Sequence, residues 1–288
     1  MRRRTTAGLG FALTVLVVLA ACGTGSSSNL PIDSRPAAPG TAAASTSPVS
    51  VGGTSGSQTT TPAVQFATLP PGSTLPSEAS CAARVRQVPE IRETNTRYNE
   101  TKGHPTAADP TWPLFARVTG DFTGTTDEII QWAACKWGID EDVVRAQAAK
   151  ETYWQQTYLG DFGTDPTRCA PGHPIGADGE RGKCPESIGM MQTRAPYLKS
   201  TIADAAASTA YNLDLSYAIW RSCYEGQEQW LNTVEHGATY QAGDLWGCVG
   251  RWYAGRWHTS DADTYSKAVR DYFDEKIWKT RSFINYRP

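Results

Sequence analysis

The chain has 288 residues, a formal net charge of −2 and a composition that is 40% hydrophobic and 19% charged. This length allows one or two domains. The 27 basic residues are balanced by 29 acidic residues. A nucleic-acid partner would require a strongly basic face, so we expect no nucleic-acid partner.

The N-terminal segment, residues 1–21, predicts a signal peptide. Three arginines at positions 2–4 precede an apolar run over residues 8–21, which is too short and wrongly flanked for a lasting membrane span. Residues 19–23, Leu-Ala-Ala-Cys-Gly, resemble a bacterial lipobox. That resemblance implies cleavage before Cys22 and lipid attachment to its thiol. We therefore expect an exported chain anchored by lipid to the outer face of the cell membrane. A plain secretory signal that happens to contain a cysteine is the alternative.

Residues 22–80 are dominated by Ser, Thr, Gly, Pro and Ala. Such a composition cannot bury enough apolar surface to offset chain entropy, so it predicts a disordered tether. As a flexible coil the tether would span roughly 40 Å. A removable pro-segment is the other interpretation. Removing the three signal-peptide arginines leaves 24 basic against 29 acidic residues, so the mature chain is mildly acidic.

The amino-acid composition changes at Cys81, and all ten tryptophans lie after this residue. Residues 81–288 are enough for one well-packed domain, with a core over about 125–277. Period-2 patterns are nearly absent, so a mostly α domain is expected. Glycines and prolines predict a loop over 160–186. One helix is predicted at 126–137, with Thr125 or Thr126 as its cap and Gly138 as the residue that ends it, and the next begins at the cap Asp140. Further helices are predicted at 90–97, 195–207, 209–223, 225–236, 244–253 and 261–277.

The chain has seven cysteines. If Cys22 carries lipid, six remain, and in an oxidising compartment these predict three disulfides. Six cysteines allow fifteen pairings. We favour the sequential set, which is Cys81–Cys135, Cys169–Cys184 and Cys223–Cys248. No Cys-x-x-Cys or Cys-x-x-His spacing occurs, and we expect neither a metal site nor a cofactor.

Glu151 is the first candidate for chemistry. On the helix that follows Asp140, Val144, Ala148 and Glu151 share one face. Burial raises the pKa of a carboxylic acid and keeps it protonated, as a general acid requires. The alternative is a structural glutamate that pairs with Lys150 or with an arginine.

Three segments favour the catalytic interpretation. They are Glu-Thr-Tyr-Trp from Glu151, Ser-Ile-Gly-Met-Met-Gln ending at Gln192, and Trp-Tyr-Ala-Gly from Trp252. In this order they resemble the lytic transglycosylases of the soluble type, within the lysozyme-like superfamily. The resemblance spans roughly 126–273.

The resemblance implies a lysozyme-like helical fold and a role for each matched residue. Glu151 would be the catalytic acid. Thr152 would replace the usual serine, and the remaining matched positions would line the glycan groove: Gly189, Met190, Met191, Gln192, Trp252 and Tyr253. Trp252 and Tyr253 stand where the family has Tyr and Asn, which changes the expected sugar contacts.

The implied activity is cleavage of the MurNAc–GlcNAc bond in peptidoglycan by a single glutamate. This residue would protonate the linking oxygen and then act as base while the 6-hydroxyl of the sugar closes a 1,6-anhydro ring. The N-acetyl group of the substrate would stabilise the cationic intermediate. Glycan strands of the cell wall would be the partner of a monomeric enzyme.

The chain departs from the family pattern in the distance between Glu151 and Gln192, which is 41 residues here, so a loop has been inserted. Cys169 and Cys184 lie in this loop and could close it. No aspartate follows Gln192, although three loop aspartates, Asp161, Asp165 and Asp178, could supply a second carboxylate. Two alternatives therefore stay open: a hydrolytic muramidase or chitosan-type glycosidase, and a glycan-binding protein without turnover.

Overall fold

The computed structural model describes residues 65–107, 109 and 112–287. The predicted signal peptide, Cys22 and most of the predicted tether lie outside these residues. The described domain is mostly α, as expected. Its α-helices are α1 Glu78–Ala82, α2 Thr96–Asn99, α3 Thr126–Trp137, α4 Glu141–Thr152, α5 Ile202–Ala207, α6 Thr209–Tyr224, α7 Leu245–Ala254, α8 Ser260–Glu275 and α9 Arg281–Ile284. In this part of the chain, none of the helices combines the length and the apolarity that a bilayer span needs.

Local sequence signals set the ends of the two helices that lead to Glu151. Thr125 caps α3 and forms a capping box with Glu128, and Gly138 ends the helix with φ of 59°. The Asp140 side chain accepts a hydrogen bond from Asp142 N at 2.8 Å and so caps α4. Both predicted helices are confirmed.

The packed domain begins before residue 81. Residues 65–80 were predicted to belong to the tether, and this part of the prediction is wrong. Phe66 is buried, with the Arg84 guanidinium 4.8 Å from its ring centroid. Arg221 donates to Pro70 O at 2.9 Å, and Gly72 N donates to Glu225 Oε2 at 2.6 Å. These partners lie far along the chain, so local composition could not reveal them.

Helix α6 runs through the centre of the domain, and all its residues are buried. It carries Asp214, which pairs with the fully buried Lys136 of α3 at 2.6 Å. Asp214 also accepts hydrogen bonds from Trp137 Nε1 at 2.7 Å and from the backbone N of Thr119 and Gly120, each at 2.9 Å. These bonds compensate a charge pair that burial would otherwise penalise.

A small antiparallel sheet occupies part of the predicted loop 160–186. Its strands, in sheet order, are β1 Leu159–Gly163, β2 Cys184–Ile188 and β3 Thr193–Arg194. The register pairs Gly160 with Ser187 and Ile188 with Thr193. All residues of β2 are buried. The sequence analysis did not find β1 and β2 because their paired residues lie more than 20 positions apart, and β3 is only two residues long.

Two helix predictions were too long. In the predicted helix 195–207, only Ile202–Ala207 is α-helical. In 225–236, the structure has a 3-10 helix over Gln229–Thr233. Further 3-10 turns lie at Glu93–Asn95, Pro113–Arg117 and Ile277–Lys279. Residues 90–97 contain the first of these and the start of α2 instead of one helix.

The three disulfides join Cys81 to Cys135, Cys169 to Cys184 and Cys223 to Cys248. This is the predicted sequential pairing. The first fastens α1 to α3, and the third fastens α6 to α7. The second closes the connection between β1 and β2.

We predict that Asp214→Ala lowers the free energy of unfolding by about 3–5 kcal/mol, because it removes one of the two carboxylates that pair with the buried Lys136, the other being Glu78, and leaves Trp137 Nε1 without its acceptor. Urea denaturation measures this loss. The control is Asp271→Ala, which breaks the exposed Lys267–Asp271 pair on α8 and should cost less than about 0.5 kcal/mol. Equal losses in the two variants would contradict the prediction.

His258 predicts a pH-dependent contribution to stability. Its Nε2 lies 2.8 Å from Asp244, the cap of α7, and its Nδ1 lies 2.8 Å from Asp263 in the first turn of α8. Burial lowers the pKa of His258, but the two carboxylates outweigh burial and raise it above its ordinary 6.5. A raised folded-state pKa means that this stabilisation is complete below pH 6.5 and lost as the pH rises through the folded pKa.

We therefore expect the melting temperature of the wild type to fall more steeply above this pH than that of His258→Gln. Thermal unfolding followed by circular dichroism across pH 5.5 to about 8.5 tests this. Parallel curves for the two proteins would contradict the prediction.

Candidate active site

Glu151 lies in the last turn of α4 and is partly buried. Val144 and Ala148, which share its face of the helix, are completely buried. The last turn of a helix presents carbonyl groups that carry partial negative charge, which disfavours an ionised carboxylate. Both its position and its burial therefore favour the protonated acid.

The backbone immediately after Glu151 is held in an unusual conformation. Tyr153 and Trp154 both have positive φ, at 53° and 65°, which is uncommon for residues other than glycine. Side chains from a distant segment hold this turn. Arg92 Nε donates to Tyr153 O at 2.8 Å, and Asn95 Nδ2 donates to Trp154 O at 2.7 Å. Both carbonyls lie just beyond the end of α4, so these bonds fix the backbone of the turn that follows the helix.

The Tyr265 hydroxyl donates a hydrogen bond to Glu151 Oε1. Tyr265 lies on the buried face of α8 and is 6% exposed. It also contacts Gln147, whose Oε1 accepts a hydrogen bond from the Tyr217 hydroxyl at 3.2 Å. Sequence reasoning missed Tyr265. The available signal was a hydroxyl on the inward stripe of a strongly amphipathic helix.

The pKa of Glu151 is raised to about 7. Burial is the largest cause, and the negative charge of Asp161 also raises it. Hydrogen bonds from Tyr265 and from the Trp252 indole, together with the charge of Lys150, act in the opposite direction. Because burial outweighs these, the pKa of Glu151 lies near neutral pH, where a general acid can both give and recover a proton.

The Met-Met-Gln turn lies directly beside the end of α4. Thr152 Oγ1 donates to Met190 O at 2.9 Å, and Asn212 Oδ1 accepts from Met191 N at 2.9 Å. Four of the predicted substrate-binding residues are buried: Thr152, Gly189, Met190 and Met191. In this structure the turn is fastened to α4 and α6 through these bonds. Contact of these residues with a ligand stays a prediction.

Gln192 is the member of this turn that remains partly exposed. It has a φ of 51°, and its Nε2 donates to Gly189 O at 2.9 Å and to Tyr158 O at 3.2 Å. Gly160 of β1 lies against it, and a Cβ at that position would be 2.1 Å from Gln192 Oε1. The glycine thus allows the sheet to approach Gln192, whose two hydrogen bonds fix its orientation in the turn.

Helix α7 supplies the predicted aromatic pair. Trp252 is partly exposed and contributes a hydrogen bond to Glu151. Tyr253 is 49% exposed, and its ring stacks on Tyr265 with centroids 4.7 Å apart and an interplanar angle of 4°. Trp252 therefore contacts the acid, whereas Tyr253 packs on Tyr265, which itself contacts the acid. Tyr253 also presents aromatic surface to solvent.

The structure separates the three loop aspartates. Asp161 lies on β1 and acts electrostatically on Glu151. Asp165 accepts a hydrogen bond from Thr167 N at 2.9 Å within its own turn, and Asp178 lies 3.0 Å from His173. Asp161 is thus the candidate for a second carboxylate at this site.

A cavity of about 380 Å³ lies elsewhere and does not include Glu151. Arg145, which lines it, pairs with Asp127 at 2.6 Å, with Glu141 at 2.7 Å and with Asp142 at 2.8 Å. The charges at this cavity compensate one another, so the cavity provides few groups with which a charged ligand could pair. The Glu151 region remains the candidate active site.

Comparison of the chain with protein-family models, with curated proteins and with solved structures found no match. Support for a function therefore comes from the three sequence motifs and from the geometry around Glu151.

We predict that Tyr265→Phe raises the pKa of Glu151 further, because the hydroxyl stabilises the ionised carboxylate through its hydrogen bond. NMR titration of the glutamate carboxyl carbons measures the change. The matched control is Tyr272→Phe. Tyr272 lies on α8, as Tyr265 does, and its hydroxyl is 3.4 Å from the hydroxyl of Tyr153. A pKa of Glu151 that is unchanged in Tyr265→Phe, or lowered, would refute this role.

Proposed function

We propose that the chain is an exported, lipid-anchored lytic transglycosylase that cleaves the MurNAc–GlcNAc bond of peptidoglycan. The observation that carries the proposal is Glu151, a partly buried acid with a pKa raised to about 7. It lies beside the Gln192 turn and the aromatic pair of α7, as the three motifs require. A lysozyme-like arrangement of the helices is part of the same proposal.

Glu151 acts first as an acid. Its proton passes to the glycosidic oxygen, the bond between this oxygen and C1 of MurNAc breaks, and GlcNAc leaves with a free 4-hydroxyl. The positive charge at C1 is stabilised by the N-acetyl group of the substrate. A group with a pKa near the working pH is well suited to donate and then recover a proton.

Glu151 then acts as a base. The carboxylate removes the proton from the 6-hydroxyl of MurNAc, whose oxygen bonds to C1 and closes the 1,6-anhydro ring. No water is consumed, and Glu151 ends protonated as it began. Tyr265 is a positioning residue here because its hydroxyl binds Glu151 Oε1 and so fixes the orientation of the carboxyl group.

The exposed residues around the acid suit a glycan. Tyr253 presents a flat aromatic surface of the kind that packs against the apolar face of a sugar ring. Gln192 offers an amide that can exchange hydrogen bonds with hydroxyl and acetamido groups. Most of the tryptophans serve the core, including Trp154, Trp220 and Trp257, each at most 2% exposed.

The signal peptide and the lipobox in the sequence support a location of this activity at the cell wall. Lipid on Cys22 would hold the chain at the outer face of the membrane, and the tether would extend the active site toward glycan strands. The Ser/Thr/Gly/Pro/Ala-rich segment that serves as tether then ends before residue 65, where the packed domain begins.

We predict that Glu151→Gln lowers glycan cleavage by about 10²–10⁴-fold, since proton donation supplies acceleration of that order. Mass analysis of muropeptides released from purified peptidoglycan measures it. Wild-type activity should fall as the pH rises through about 7, because the first step requires protonated Glu151. Lys150, Asp161, Tyr217 and Tyr265 are the titratable groups that act on Glu151.

The control is Glu275→Gln, an exposed glutamate at the end of α8, which should keep full activity. Undiminished cleavage by Glu151→Gln would overturn the proposed mechanism. Glycan binding without any release of muropeptides by the wild type would identify a binding protein.

A further inference from the structure

Gln147 is a buried amide that lies one turn before Glu151 on α4. It is 1% exposed and stands between Ala146 and Ala148, which are completely buried. Residues four apart on a helix are neighbours on its surface, so the side chains of Gln147 and Glu151 share one stripe of α4. An amide that is buried without hydrogen-bond partners costs free energy. The neighbouring helices must therefore supply partners for Gln147.

The first partner is Tyr217 of α6, which is also completely buried. Its hydroxyl donates to Gln147 Oε1 at 3.2 Å. Burial, together with the charge of Glu151, raises the pKa of Tyr217 well above its ordinary range. Tyr217 therefore keeps its proton and remains a donor. Because the oxygen and the nitrogen of an amide point in different directions, this bond turns Gln147 Nε2 away from Tyr217.

The second partner is Tyr265 of α8, a helix that packs directly on α4. Its hydroxyl reaches the same stripe, because it donates to Glu151 Oε1 one turn after Gln147. Burial and the charge of Glu151 raise the pKa of Tyr265, and a hydrogen bond with Gln147 acts in the opposite direction. A bond that favours the ionised phenol donates to the phenol oxygen. Gln147 is therefore the donor of this pair.

These bonds leave the Tyr265 hydroxyl with one orientation. A phenol has a single O–H proton. Since an N–H of Gln147 is directed at the Tyr265 oxygen, the proton cannot point toward Gln147, and it points to Glu151. Without that N–H the hydroxyl could rotate and accept a hydrogen bond from protonated Glu151 instead. Gln147 thus decides whether Tyr265 favours the carboxylate or the carboxylic acid.

We propose that Gln147 is a positioning residue, which directs the proton of Tyr265 to Glu151 through a hydrogen-bond relay formed by Tyr217, Gln147 and Tyr265. The relay runs from α6 through α4 to α8, so it couples the orientation of one hydroxyl to the packing of three helices. Its consequence for catalysis rests on the proposed function, because that function makes Glu151 the acid that cleaves the glycan.

In the proposed reaction, the relay serves the moment at which Glu151 has given up its proton. Negative charge then appears on the carboxylate, and the Tyr265 proton already points at Oε1. A donor that is oriented beforehand needs no rearrangement when the charge develops. When Glu151 takes the proton of the 6-hydroxyl, the charge disappears and Tyr265 keeps its own proton. Gln147 acts through Tyr265 and does not touch the substrate.

The first experiment is Gln147→Met, which keeps an unbranched side chain but removes the donor. NMR titration of the glutamate carboxyl carbons gives the pKa of Glu151, whose signal is identified by its loss in Glu151→Gln. We expect the pKa to rise by about 0.5 pH unit, the value of a modest hydrogen bond. Gln131→Met serves as control, since this completely buried glutamine of α3 binds the backbone of Arg86. It should leave the pKa unchanged.

A double variant distinguishes the relay from a general effect on packing. With Tyr265→Phe no hydroxyl proton is left to orient, so adding Gln147→Met should change the pKa of Glu151 no further. Residues that act in one network give such non-additive effects. Shifts that add in the double variant would show that Gln147 does not act through Tyr265, and they would overturn the proposal.

Tyr217→Phe tests the start of the relay and removes a single oxygen atom. We expect the pKa of Glu151 to rise by less than in Gln147→Met, because the amide loses only the bond that orients it. Its control is Ser216→Ala on the same helix, whose hydroxyl donates to Asn212 O at 2.7 Å. An unchanged pKa in Gln147→Met, or in Tyr217→Phe if Gln147→Met does not fold, overturns the relay.

The pH dependence of cleavage connects the relay to activity. The titratable groups that act on Glu151 are Lys150 of α4, Asp161 of β1, Tyr217 of α6 and Tyr265 of α8. With soluble glycan strands as substrate, the pH at which activity falls should move upward in Gln147→Met, and KM should stay the same.

The NMR titration and the cleavage assay separate the two proposals. An unmoved pKa of Glu151 refutes the relay and leaves transglycosylation intact. Cleavage that survives in Glu151→Gln overturns the proposed function, whereas the titration still reports the orientation of Tyr265.

Discussion

The site depends on keeping one carboxylic acid partly buried at the C-terminal end of a helix. Burial and the helix carbonyls both work against the charged form of Glu151. The hydroxyl of Tyr265 and the indole of Trp252 limit that effect, so the pKa settles at about 7 instead of rising further. Each of these groups comes from a different helix than Glu151. The packing of α7 and α8 against α4 is therefore what tunes the acid.

The turn after Glu151 imposes a second requirement, because its two positive-φ residues must be held in place. Arg92 does this while its guanidinium also donates to Phe283 O at 2.7 Å, near the C-terminal end of the chain. Burial, the largest cause, lowers the pKa of Arg92 to about 10, which still leaves it charged at neutral pH. Segments from both ends of the domain thus converge on the backbone that fixes the acid.

The chain between Glu151 and Gln192 forms the hairpin of β1 and β2. The Cys169–Cys184 disulfide and the ion pairs of Glu186 with Arg168 and Arg194, at 2.7 Å and 2.6 Å, hold its shape. The long connection that sets this chain apart in the sequence thus forms a small sheet, and Asp161 of β1 acts electrostatically on Glu151.

The sequence by itself determined the features that depend on neighbours along the chain. The caps Thr125 and Asp140 and the stop Gly138 set α3 and α4, and the helical period placed Glu151 on a buried face. The six cysteines that follow Cys22 indicated three disulfides. Only the tertiary structure decided the rest, because it depends on contacts across large sequence separations. Tyr265 meets Glu151 from 114 residues away, and Asp214 pairs with Lys136 from 78 residues away. Burial of Met190 and Met191 beneath the turn, and the packing of Phe66 against the domain, arise in the same way. Local patterns record which residues prefer a helix or a buried face, but not which distant side chain will complete the environment of an acid.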